Sequence, residues 1–123
     1  MGSYSSSYAD FVQGLTYDQL RPPIVLQTKK LILDFVGVAL AGQRLMEFPR
    51  LVVDYLEGLG GTPEATLVGR RKRVPAVHAA FGNGACGHAL DMDDGHRYGA
   101  LHPGTVIIHR SRRVSYRKPI PRR

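Results

Sequence analysis

The sequence predicts an all-α chain, a partial helical bundle followed by a disordered basic tail, and three observations carry that prediction. Apolar residues recur at helical spacing through two long segments, 22–42 and 49–59. A third segment opened by Pro75 runs toward Leu90, and eight of the fourteen residues from Ala76 to Ala89 are Ala or Gly. The charge is split unevenly: residues 1–108 hold ten Lys or Arg against ten Asp or Glu, and the seven uncompensated cations all lie between Arg110 and Arg123.

Tyr8 to Leu15 forms a weakly amphipathic helix candidate closed by Gly14. Thr16-Tyr17-Asp18-Gln19 has the spacing of a capping box with Thr16 as N-cap. Arg21-Pro22-Pro23 starts the strongest helix, because a first-turn proline loses no intrahelical bond. Val25, Thr28, Ile32, Phe35 and Ala39 share one of its faces, and Gly42 stands where a helix stops. The next helix begins near Pro49, carries Leu51, Val52, Tyr55, Leu56 and Leu59 as core formers, and ends at Gly60-Gly61. Ala65 to Val68 is a short extended piece, and Gly69 to Arg73 a turn whose basic quartet is read as solvated. In the Ala/Gly-rich helix, Gly82, Gly84 and Gly87 each cost about 1 kcal/mol relative to Ala, so close approach of another helix has to offset them. Asn83 is expected to bond a neighbouring helix.

Several classes are excluded. Cys86 is the single cysteine, so there is no internal disulfide framework and a reducing cytoplasm fits. The opening MGSYSSSYADF has neither the basic nor the apolar region of a secretory signal. The longest apolar stretch, Leu31 to Ala41, is broken by Asp34 and Gly37, far short of the about 20 residues a membrane span needs. The chain divides into residues 1–108, one helical domain or part of one, and the basic tail 109–123.

Chemistry concentrates in HALDMDDGHRYGALHPG, residues 88–104, with three histidines, three aspartates and an arginine. His88 and Asp91 are spaced to share a helix side, and Asp91, Asp93 and Asp94 crowd carboxylates that His96, Arg97 and His102 are placed to offset. A histidine held by a carboxylate works as a general acid or base near neutral pH. The spacing of Asp91, Asp93, His96 and His102 matches neither a zinc helix motif nor a calcium loop, so no metal is expected. A plainer alternative has Asp93 or Asp94 capping local N–H groups, with His88 a structural histidine.

The stretch VHAAFGNGACGHALDMDDGHRYGALHPGTVI resembles the signature region of the MmgE/PrpD family, which includes 2-methylcitrate dehydratase and cis-aconitate decarboxylase. TKKLILDFVGVALAG is similar to that family's first long helix, and the resemblance extends from Tyr8 to Ile107. It implies the N-terminal part of a helical domain, homodimers, and cofactor-independent lyase or isomerase chemistry, by dehydration or decarboxylation, on small di- and tricarboxylates. It also implies that Asp91, at the first acidic position of the family's D-x-D-D motif, and His102, in its H-P motif, line the active site. His102 is then the proton donor or acceptor, Asp91 orients it or the substrate, and His96, Arg97 and His88 bind substrate. Gly95 stands where some members carry a substrate-contacting threonine.

Beyond Ile107 the resemblance gives way to IHRSRRVSYRKPIPRR, the kind of switch a shifted reading frame produces. The expectation is a truncated family member, inactive as an isolated chain. The alternative is a small helical binding module whose tail contacts nucleic acid or an anionic membrane.

Overall fold

The computed structural model describes residues 3–108, so every expectation about the basic tail lies outside the described residues. The chain divides into two units, Met1–Lys30 and Leu31–Arg123. The all-α prediction holds for the bulk of the chain: the regular elements of the described residues are five α-helices, one short 3-10 helix and one two-stranded sheet.

In the first unit, α1 (Tyr4–Gly14) starts earlier than its apolar pattern implied. Ser3 caps it, accepting the Ser6 N–H on its hydroxyl at 3.2 Å. Thr16 donates its N–H to the Gln19 side chain at 2.9 Å, but this closes only a short 3-10 turn, Tyr17–Gln19. The long helix α2 (Pro22–Leu45) begins separately at the proline pair.

The second unit is built around α4 (Ala76–His88), which packs most extensively on α3 (Glu47–Leu59). Its core joins Phe35 and Ala39 of α2, Val53 and Leu56 of α3, Leu67 and Val74 of the hairpin, and Ala79 and Cys86 of α4. β1 (Ala65–Thr66) pairs antiparallel with β2 (Arg73–Val74), Ala65 opposite Val74. Cys86 lies in this core, where burial raises its thiol pKa against a weaker lowering by the Gln43 side chain and Arg70. Among the described residues no helix is long and apolar enough to cross a membrane.

Glycines set how closely these helices approach. A Cβ at Gly82 would come within 2.5 Å of Leu67 and 3.0 Å of Leu56, and one at Gly87 would enter the Phe35 ring. The close approach expected along α4 is therefore present at both positions, and it offsets their low helix propensity. Gly42 is a correction. It lies inside α2, which runs on to Leu45, and a Cβ there would strike the Cys86 carbonyl. Its role is to admit the α4 backbone, not to stop a helix.

Two further expectations change. The buried stripe of α3 is Pro49, Val53 and Leu56, whereas Leu51, Tyr55 and Leu59 are exposed. Of the predicted α2 face, Phe35 and Ala39 are buried but Ile32 and Thr28 are exposed. Asn83 bonds the hairpin rather than a helix, accepting the Val68 N–H at 2.8 Å and donating to the Thr66 carbonyl at 3.1 Å.

The basic quartet after Gly69 is largely consumed by the fold. Arg70 bonds Asp54 at 2.6 Å, Glu57 at 3.5 Å and the Gln43 side-chain oxygen at 3.1 Å. Gln43 in turn donates to the Val68 carbonyl at 3.1 Å, so one network ties α2, α3 and the hairpin. Lys72 donates to the Glu57 carbonyl and Arg73 to the Glu64 carbonyl. Glu64 accepts the Ala76 N–H at 2.9 Å, placing a carboxylate on the positive end of α4.

Candidate active site

The site begins where α4 ends. His88 is the last helical residue, and the Asp91 N–H turns back to the His88 carbonyl at 3.1 Å. Asp91 takes φ +52°, in the left-handed region that side chains rarely adopt. This reversal leaves the Asp91 side chain 80% exposed and carries Asp93 inward, its side chain 1% exposed.

A buried carboxylate is tolerated only with donors around it. Asp93 Oδ2 accepts the Thr105 hydroxyl, and Oδ1 lies 3.1 Å from His88 Nδ1 and 3.3 Å from His102 Nδ1. Burial alone would raise the Asp93 pKa. The hydrogen bonds it accepts from Thr105, His88 and its own backbone N–H, with the electrostatic attraction of His102, together outweigh that and hold the carboxyl below the ordinary aspartate range. Asp93 is thus ionised at neutral pH.

His102 sits just before α5 (Pro103–Ile107). Its Nε2 lies 3.6 Å from Asp91 Oδ1, and its ring meets that of His88 edge to face with centroids 4.8 Å apart. One ligand-type atom from each of His88, Asp91, Asp93 and His102 falls within 4.8 Å of the others. Two imidazoles against two carboxylates can relay a proton, and these are also the residues that could hold a divalent cation.

Asp94 has a different task. Its Oδ1 accepts the Gly104 N–H at 2.7 Å, and a Cβ at Gly104 would collide with that oxygen. It ties the loop to the start of α5, as the capping alternative expected of Asp93 or Asp94. His96 builds the turn that follows: its N–H bonds the Leu101 carbonyl at 2.8 Å, and its Nδ1 accepts the Gly99 N–H at 2.9 Å. Arg97 lies on the same turn and is exposed.

The structure therefore gathers Asp91, His102 and His88 from the predicted set and places His96 and Arg97 on the neighbouring turn, outside the cluster of four. Asp93 is the member that sequence reasoning left out of that set. The signal available for it was its place among three carboxylates within four residues, since carboxylates that close need hydrogen-bond donors or cations around them.

A mostly helical scaffold gathers two imidazoles and two carboxylates at the end of a glycine-lined helix, side chains of the kind that exchange protons. The chain belongs to the MmgE/PrpD family, since the model of the MmgE/PrpD N-terminal domain matches residues 6–109. It is 32% identical over 107 residues to the cis-aconitate decarboxylase of Mus musculus and 28% identical over 107 residues to that of Homo sapiens. Each match covers 86% of this chain and 22% of the relative, so the chain spans about a fifth of the length of these curated relatives. No solved structure matches it.

Proposed function

We propose that this chain supplies the acid–base wall of a cofactor-independent lyase or isomerase acting on small di- or tricarboxylates. The carrying observation is the convergence of His88, Asp91, Asp93 and His102 within 4.8 Å, with one carboxylate buried and ionised against both rings. Family membership and the relatives' name, cis-aconitate decarboxylase, support the carboxylate class. His102 donates or accepts the proton next to a substrate carboxylate, and the exposed Asp91 orients His102 or the substrate. His88 completes the wall.

A substrate with two or three negative charges needs strong cations opposite it. The cluster of four contains neither Lys nor Arg, and Arg97 lies on the exposed turn. The isolated 123-residue chain is accordingly expected to bind such acids weakly and not to turn them over. In this reading residues 1–108 are part of a larger helical domain of a cytoplasmic homo-oligomer.

The test is a titration of the 15N-labelled chain with cis-aconitate and with methylcitrate, followed at the imidazoles and alongside product analysis. Movement of the His88 and His102 resonances without product supports the reading. If neither ring responds at the highest soluble acid concentration, the carboxylate site is wrong. Turnover that disappears in His102→Ala would keep the site and overturn the expected inactivity.

A further inference from the structure

We propose that Asp93 is the positioning residue of this site, fixing both imidazoles with Nδ1–H toward its buried oxygen so that His102 presents a bare Nε2 on the open side. The inference rests on the acid–base reading for its use, but the hydrogen-bond logic stands without it. An ionised carboxylate only accepts hydrogen bonds, so a neutral imidazole nitrogen facing it must carry the proton. Asp93 Oδ1 faces Nδ1 of His88 at 3.1 Å and Nδ1 of His102 at 3.3 Å. The second contact is an ion-pair distance without hydrogen-bond alignment. His102 Nδ1 is itself a buried atom with no other partner. A proton left there has Asp93 as its acceptor, and a lone pair there would confront the carboxylate.

The carboxylate is held for this task. Its side chain is 1% exposed, and its second oxygen is taken up by the Thr105 hydroxyl. Asp93 cannot easily swing away to solvent, whereas Asp91, at 80% exposure, can. The groups facing the two rings are Asp93 and Asp91 from the loop and each ring from the other, while Thr105 of α5 bonds Asp93. Asp94 is engaged by Gly104. The consequence for His102 is a fixed division of labour. Nδ1 keeps its proton against the fixed Asp93, and Nε2, whose carboxylate neighbour Asp91 at 3.6 Å is 80% exposed and free to turn to solvent, is the atom that exchanges one with a ligand.

The full 123-residue chain, 15N-labelled, tests this by long-range 1H–15N correlation of the histidine rings at a pH where they are neutral. The expected spectrum shows His102 and His88 as Nδ1–H tautomers, the reverse of what free histidine side chains prefer in water. Asp93→Asn should abolish that preference, and Thr105→Val should weaken it while Thr105→Ser retains it. His102 found as the Nε2–H tautomer in the unaltered chain overturns the proposal. So does an Asp93→Asn chain of unchanged circular dichroism whose tautomers are also unchanged. If Asp93→Asn does not fold, the unaltered chain and the Thr105 pair still decide. Because no turnover is read, a wrong tautomer and a failed carboxylate titration are separate results.

Discussion

The Arg70 cluster and the Asp93 cluster are built from similar chemistry, two carboxylates each with cationic or ionisable partners, yet they leave different amounts of bonding capacity unused. Around Arg70 the guanidinium is divided among Asp54, Glu57 and Gln43, and Gln43 spends its amide on the Val68 carbonyl. Around Asp93 the inner oxygens are satisfied, but His102 and Asp91 keep exposed atoms that meet only each other at 3.6 Å. The lesson is that charge density alone does not mark a site. A closed network holds elements together, and a network with a saturated floor and an unsaturated rim can do chemistry.

That contrast can be broken in several ways. The largest effect is expected at Gly42, on the helix that carries Gln43. Gly42→Val would drive a branched side chain into the Cys86 carbonyl, costing about 3 kcal/mol or more by the usual range for overpacking and strain. Urea denaturation should register it, and the His88 and His102 resonances should lose their native positions. A mutant as stable as the parent would mean α2 and α4 are not in contact.

Arg70→Met keeps most of the packing but leaves Asp54, Glu57 and Gln43 without their shared donor. A half-buried network of this kind is worth about 1–2 kcal/mol. The loss should appear in the denaturation midpoint, with the His88 and His102 ring signals in place. If those rings move instead, the two clusters are one coupled unit and the comparison fails.

Asp93 supplies a smaller effect that depends on pH. Its folded pKa is held below its ordinary value of 3.8, so the native state favours the ionised form. The resulting stability is present above the unfolded pKa and is lost as pH falls through the lower folded value. Asp93→Asn should therefore flatten the acid limb of the stability curve below about pH 4. An unchanged acid limb would show that Asp93 is not held by these donors. The smallest effect is at Arg71, exposed in the quartet. Arg71→Ala should stay within about 0.5 kcal/mol, and a larger loss in the same melts would extend the Arg70 network to a residue it does not now include.

Much of this was legible in the chain. Helical spacing located α2, α3 and α4, Gly60 marked the end of α3 with φ +70°, and the excess glycine in α4 announced close packing. What periodicity could not show was how wide a neighbour each apolar stripe would meet. On α3 the stripe is broader than the contact, so Leu51, Tyr55 and Leu59 stay exposed beside buried Val53 and Leu56. Gly42 was misplaced because glycine signals both a helix end and a close crossing, and only the Cys86 carbonyl distinguishes them. In the window the sequence drew attention to Asp91 and His102, which the fold brings together. It could not reveal that Asp93 faces inward, because that depends on the reversal at Asp91 and on Thr105 from another element.

The backbone at Asp91 has a consequence for how this protein would respond to selection for robustness. Glycine relieves a left-handed conformation at the end of a helix, so Asp91→Gly should make the fold firmer by up to about 1 kcal/mol. The same change deletes the carboxylate beside His102. A screen that rewards thermal survival alone would steer the chain toward that glycine, and one that rewards ligand response would hold the aspartate. Position 91 is thus a place where durability and chemistry pull in opposite directions.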